Sequence, residues 1–136
     1  MKKNYSLFKK AIDNIQNNEI EEIFFKDVPH EKTIYYFNSS DVVVLTSLHE
    51  GSPNVIKEAM ACNIPIVSTD VGDVREIINE TEGCFITSFD PIDVSNKIKL
   101  ALDFNKRTNG REKIEYLESS VIAEKIIQFY HKTLNK

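Results

Sequence analysis

Two glutamates, Glu50 and Glu58, are separated by seven residues in the stretch EGSPNVIKE. An ionised carboxylate only accepts hydrogen bonds, so it pairs well with sugar hydroxyls. Between the two lies a turn. Gly51 permits a tight bend or the close approach of a ligand. Pro53 suits the first turn of a helix, and Ser52 or Asn54 can cap it. The first turn of such a helix has free N–H groups and a dipole that favours an anion such as a phosphate. Carboxylates on either side of an anion-friendly helix end would grip hydroxyls that flank a phosphate. A nucleotide sugar has that layout: ribose, diphosphate, hexose. Plainer readings stay open. Glu58 can be the solvent-facing residue of a helix that buries Val55, Ile56, Ala59 and Met60. Glu50 can be loop polarity, and Gly51 and Pro53 simple punctuation. Neither GxGxxG nor GxxxxGK[ST] occurs, so the common nucleotide motifs do not decide the matter.

The elements around this stretch follow from pattern. Val42 to Leu45 is a short, β-branched, non-alternating run, as expected of a strand covered on both faces. A helix from about Asn54 to Ala61 follows, then a strand over Ile64 to Ser68. Thr69 to Asp73 (TDVGD) reads as a turn, and Arg75 to Ile78 as a short helix capped by Asp70 or Asp73. Gly83 to Ile86 is the last strand. Asp90-Pro91 opens a helix with Val94, Ile98, Ala101 and Leu102 inside. Upstream, Ser6 caps a helix to about Asn17, Glu22 to Phe25 is a strand candidate, and HEKTIYYFNSS is helical. Arg111 to Leu117 and Val121 to Tyr130 are helical as well. Short strands alternating with helices predict one three-layer α/β domain, Rossmann-like, with a parallel sheet. Ligands in such sheets bind beyond the carboxyl ends of strands. The loop from Thr46 to Pro53 lies at one such end and TDVGD at the next.

Composition narrows the class. The chain has 136 residues, a formal charge of -4, 41% hydrophobic and 28% charged residues, a balance that suits one globular domain. It is too acidic to read as a nucleic-acid binder. No apolar run approaches a membrane span, and no secretory-type stretch follows MKKNYSLFKK. Cys62 and Cys84 read as buried free thiols, which favours a cytoplasmic setting. Three scattered histidines form no metal motif.

The run SSDVVVLTSLHEGSPNVIKEAMACNIPIVSTDVGDVREII resembles the C-terminal half of retaining glycosyltransferases of family 4 type, which have two Rossmann-like domains (the GT-B architecture). The signature is the Glu50-to-Glu58 pair. Asp41, EAMAC, PIVSTDVGD with Pro65, and Glu76 agree with it. The resemblance runs from about Val28 to Leu102, and more loosely to both ends. It implies that residues 1–136 are the donor-binding C-terminal domain, one half of a GT-B fold. It implies that the residue at Glu58 holds the ribose hydroxyls and that the residue at Glu50 contacts the donor sugar near the reacting centre. Gly51, Ser52, Pro53, Asn54 and Val55 would line the sugar and phosphates. Lys3, Thr46, Ser47, His49 and Asp73 are further candidates for donor contact. The implied partner is a UDP- or GDP-linked sugar. Neither a cofactor nor a metal is expected.

The resemblance has gaps. The family's acceptor-binding N-terminal domain is not in these residues. Nor is the strand whose Arg and Lys grip the diphosphate, although Lys2 or Lys3 can match the Lys. The chain is therefore expected to be a C-terminal domain truncated at its N-terminal edge and to transfer little by itself. The parent enzyme is expected to work in glycan or cell-surface polysaccharide synthesis, with peripheral membrane association as an open possibility. The competing reading is a non-catalytic α/β module that binds a partner. A receiver-type version of it is disfavoured, because Asp41 precedes its strand rather than following it.

Overall fold

The computed structural model describes residues 2–16, 19–25 and 28–134. In chain order the elements are β1 (Lys2–Lys3), α1 (Tyr5–Ile15), α2 (His30–Ser39), β2 (Val43–Leu45), β3 (Ser47–His49) and α3 (Asn54–Ala61). Then come β4 (Ile66–Thr69), α4 (Val74–Ile78), β5 (Cys84–Thr87), α5 (Pro91–Phe104), α6 (Gly110–Lys113), a 3₁₀ turn (Glu115–Leu117) and α7 (Ser119–Leu134). Strands β2, β4 and β5 form a parallel sheet in that spatial order. The register sets Val43 opposite Ile66, and Ile66 opposite Cys84.

Both faces of the sheet are covered, which explains the non-alternating apolar runs. On one face Val43, Leu45 and Ile66 pack against Phe37 of α2, Ile56, Ala59 and Met60 of α3, and Val74, Ile77 and Ile78 of α4. On the other, Val67 packs against Leu7 and Ala11 of α1 and Val94, Ile98 and Ala101 of α5, with Val42, Val44 and Phe85 leaning on that cluster. The three layers expected from the sequence are thus present, and they fix the carboxyl ends of β2 and β4 side by side.

Several local expectations are corrected. Glu22–Phe25 is not a strand. Its Phe25 instead stacks on Phe37, with ring centroids 5.1 Å apart, and wedges the segment against α2. Asn4, not Ser6, caps α1, its Oδ1 accepting from the Leu7 N–H at 3.2 Å. Asn17 lies outside the described residues. The expected loop after β2 contains β3, which pairs antiparallel with β1. Cys62 and Cys84 are free, as expected, but half-buried rather than buried. Asp90 does cap α5, accepting from the Ile92 N–H at 3.0 Å, with Pro91 at the first helical position. The Arg111–Leu117 segment divides into α6 and the 3₁₀ turn, and α7 runs past both predicted ends without a buried residue.

Candidate functional site

The residues singled out by the sequence gather in three places around the carboxyl ends of β2 and β4. The first is the Glu50 anchor. Ser47 is completely buried, and its Oγ donates to Glu50 Oε1 at 2.7 Å. The Ser47 carbonyl accepts from Thr69 Oγ1 at 2.7 Å, so the last residue of β4 braces β3 from below. Thr46 Oγ1 donates to the Asn4 carbonyl at 2.9 Å, and Lys3 stands opposite Ser47 in the β1–β3 ladder. Thr46 and Ser47 hydroxyls therefore serve the scaffold. Glu50 is half-buried, and Oε2 accepts no hydrogen bond among the described residues. That oxygen keeps its full acceptor capacity among the described residues. His49 and the Lys3 side chain are exposed beside it.

The second place is the turn Gly51–Pro53. A Cβ built on Gly51 meets nothing within 4 Å, and its backbone lies outside the left-handed region. Glycine is thus not demanded by the fold there, and the space in front of its Cα is open. The neighbouring Gly72 is different. Its φ is +56°, and a Cβ there would sit 2.1 Å from the Gly51 carbonyl oxygen. The two loops touch backbone to backbone, and the Asp73 N–H donates to the Gly51 carbonyl at 3.2 Å. Pro53, buried, holds the N-cap position of α3. Neither Ser52 nor Asn54 supplies a side-chain cap, contrary to expectation. Asn54 is exposed, and Ser52 Oγ instead donates to Asp73 Oδ2. Lys57 Nζ donates to the same Ser52 Oγ at 2.6 Å. Asp73 makes no side-chain cap to α4 either. Asp70 instead pairs with Arg75 at 2.7 Å.

The third place is the wall carrying Glu58. It is half-buried, one turn inside α3, and lines an apolar cleft of about 330 Å³ with Lys57, Ala61, Arg111, Ile114 and Leu117. Val55 leans on the core from the same helix. The two glutamates thus face different surroundings: Glu50 is pinned at a strand end, while Glu58 borders the groove between α3 and α6. A larger cavity, about 450 Å³, lies at the opposite, amino end of the strands among Asp41, Pro65, Leu102 and Arg107. There the Arg107 guanidinium is spent on the Asn38 carbonyl at 2.5 Å, closing the end of α2.

Sequence reasoning singled out neither Lys57 nor Arg111 as part of this region. Lys57 reads as an ordinary helix-surface residue, and only the packing of α6 against α3 brings Arg111 to Glu58.

The family model for glycosyl transferases group 1 matches residues 2–116. The capsular polysaccharide biosynthesis glycosyltransferase CapM of Staphylococcus aureus is 30% identical over 110 residues, 76% of this chain and 29% of that protein. The N,N'-diacetylbacillosaminyl-diphospho-undecaprenol alpha-1,3-N-acetylgalactosaminyltransferase of Campylobacter jejuni is 30% identical over 101 residues, 69% of this chain and 27% of that protein. Among solved structures, sucrose-phosphate synthase from Thermosynechococcus elongatus superposes with a TM-score of 0.68 at 26% identity, covering 83% of this chain and 30% of that one. The chain spans under a third of the length of each of these three relatives.

Proposed function

The chain belongs to the group 1 glycosyl transferases, and from that premise we propose that it is the donor-binding half of a retaining enzyme. It would hold a nucleoside diphosphate sugar across the carboxyl ends of β2 and β4. The observation that carries this reading is the pair of glutamates around an open glycine turn. Glu50 is anchored through one oxygen and offers the other, and Glu58 stands one turn into the helix that follows. In this reading Glu58 accepts from the ribose hydroxyls. The turn Gly51, Ser52, Pro53 and Asn54 lies along the phosphates and sugar. There the Asn54 and Val55 N–H groups at the start of α3 favour the diphosphate charge. Glu50 Oε2 faces the sugar near its anomeric carbon. His49 and Lys3 border the same opening, and Asp73 acts behind it.

Transfer breaks the bond between the anomeric carbon and a phosphate oxygen and forms one to an acceptor hydroxyl oxygen on the same face. The leaving phosphate takes the acceptor's proton. Donors aimed at the developing phosphate charge lower that barrier. Alignment of the acceptor is also needed, and that is the task of a further domain in the parent enzyme. The relatives named for capsular polysaccharide synthesis and for a diphospho-undecaprenol-linked substrate support glycan assembly as the setting.

Calorimetric titration of the chain with UDP and with GDP tests the reading. Saturable binding of one, weakened by Glu58→Gln, is the expected result. Failure of both nucleotides and of their sugar-linked forms to bind would overturn it.

A further inference from the structure

Four facts converge behind the turn that follows Glu50. The Ser52 hydroxyl has one proton, and it goes to Asp73 Oδ2. Ser52 Oγ in turn accepts from the Lys57 ammonium at 2.6 Å. The Asp73 N–H reaches the Gly51 carbonyl at 3.2 Å. Gly72 lies so close that any side chain there would overlap Gly51. A hydroxyl held between a cation and a carboxylate is polarised by both, which strengthens each bond and fixes its direction. Among the described residues, Lys57 has no carboxylate within ion-pair distance, so Ser52 is its anchor.

We propose that Asp73 and Lys57 are positioning residues that latch the Gly51–Pro53 turn to the β4–α4 loop through Ser52. This rests on the donor-site reading above and adds to it the device that fixes where the turn sits. Glu50 is then braced on both sides: from β4 through Thr69 and Ser47 before it, and from the β4–α4 loop through Asp73 and Ser52 after it. The latch is at the surface, where a single polar contact adds little to global stability. Its effect is on position. A displacement of about 1 Å at such a site is enough to cost two orders of magnitude in a reaction.

The test has two arms. Amide hydrogen exchange on the whole chain reads the latch without any ligand, because the Asp73 N–H is protected by the Gly51 carbonyl across the two loops. Ser52→Ala is expected to speed exchange at Asp73 about tenfold, while the Ile77 amide, bonded to the Asp73 carbonyl within α4, keeps its rate. Lys57→Met should give about a threefold acceleration, and Ser52→Thr should restore protection. Unchanged exchange at Asp73 in Ser52→Ala, or equal acceleration at Ile77, would overturn the latch. The second arm titrates UDP-glucose and GDP-mannose into the same proteins. For whichever binds wild type, Ser52→Ala and Asp73→Ala should each weaken affinity about three- to tenfold. The double variant should be no weaker than either single one, as for residues that act as a unit. Additive losses would overturn the latch's role in donor positioning. Normal latch exchange with no binding to wild type would overturn that role and the donor-site reading while leaving the contact between the loops intact.

Discussion

Gly72→Ala tests the contact between the two loops. The residue's φ of +56° is left-handed, which costs an L side chain about 1–2 kcal/mol. The added Cβ would lie 2.1 Å from the Gly51 carbonyl oxygen, 2.6 Å from its carbon and 2.9 Å from the Glu50 carbonyl oxygen. All three are backbone atoms, so no rotamer relieves the clash. The Gly51 carbonyl must retreat by roughly 1 Å to recover a van der Waals contact. That movement stretches the Asp73 N–H bond to it, worth about 1 kcal/mol. The total is about 2–3 kcal/mol, or a fall in Tm of about 6–12 °C for a chain of this size. Gly51→Ala is the control: its Cβ meets nothing, so its stability should stay within about 0.5 kcal/mol of wild type. Urea unfolding of both variants beside wild type measures the contrast. If Gly72→Ala unfolds at the wild-type midpoint, or if both variants lose the same amount, the reasoning from the loop contact is wrong.

Glu58→Gln should weaken the nucleoside diphosphate that binds wild type by about 1–3 kcal/mol, some 5- to 150-fold by calorimetry, with Tm unchanged. Ile56→Ala removes a fully buried side chain from the α3 face of the core, and chemical denaturation should show a loss of about 2–5 kcal/mol. Burial pushes the Cys84 thiol from 9.0 to about 11. At pH 8 it should then alkylate about a hundredfold more slowly in the folded chain than in urea, as mass spectrometry would show. Because the folded state holds that proton longer than the unfolded state does, stability should fall as pH rises from 9.0 towards about 11. A flat stability profile across that window would remove the burial argument.

The central sheet was legible because its signals are local. Val42 to Leu45 is β-branched and uninterrupted, and the structure assigns β2 inside it. Asp90-Pro91 carries its own helix start, and α5 begins there. What was illegible depends on partners far along the chain. β3 exists only because Lys2–Lys3 come alongside, and nothing in SLH announces that pairing. Glu22–Phe25 has strand composition, but its Phe25 is used for stacking on α2 rather than for a ladder. At the site, the Glu50-to-Glu58 spacing was visible. The allegiance of Ser52 was not, since a Ser-Pro-Asn sequence suggests a cap and the hydroxyl turns instead to Asp73.

α7 has a consequence for how the chain comes apart. None of its 16 residues is buried, and Phe129 and Leu134 are 69% and 80% exposed. The helix therefore draws almost no stabilisation from the sheet. A free helix of this length is marginal in water. The cooperative unit of unfolding is thus expected to end near Leu117, with α7 melting as a separate, shallow transition below it. Its loss should remove far-ultraviolet helical signal while the aromatic environment around Phe37 and Phe25 stays intact.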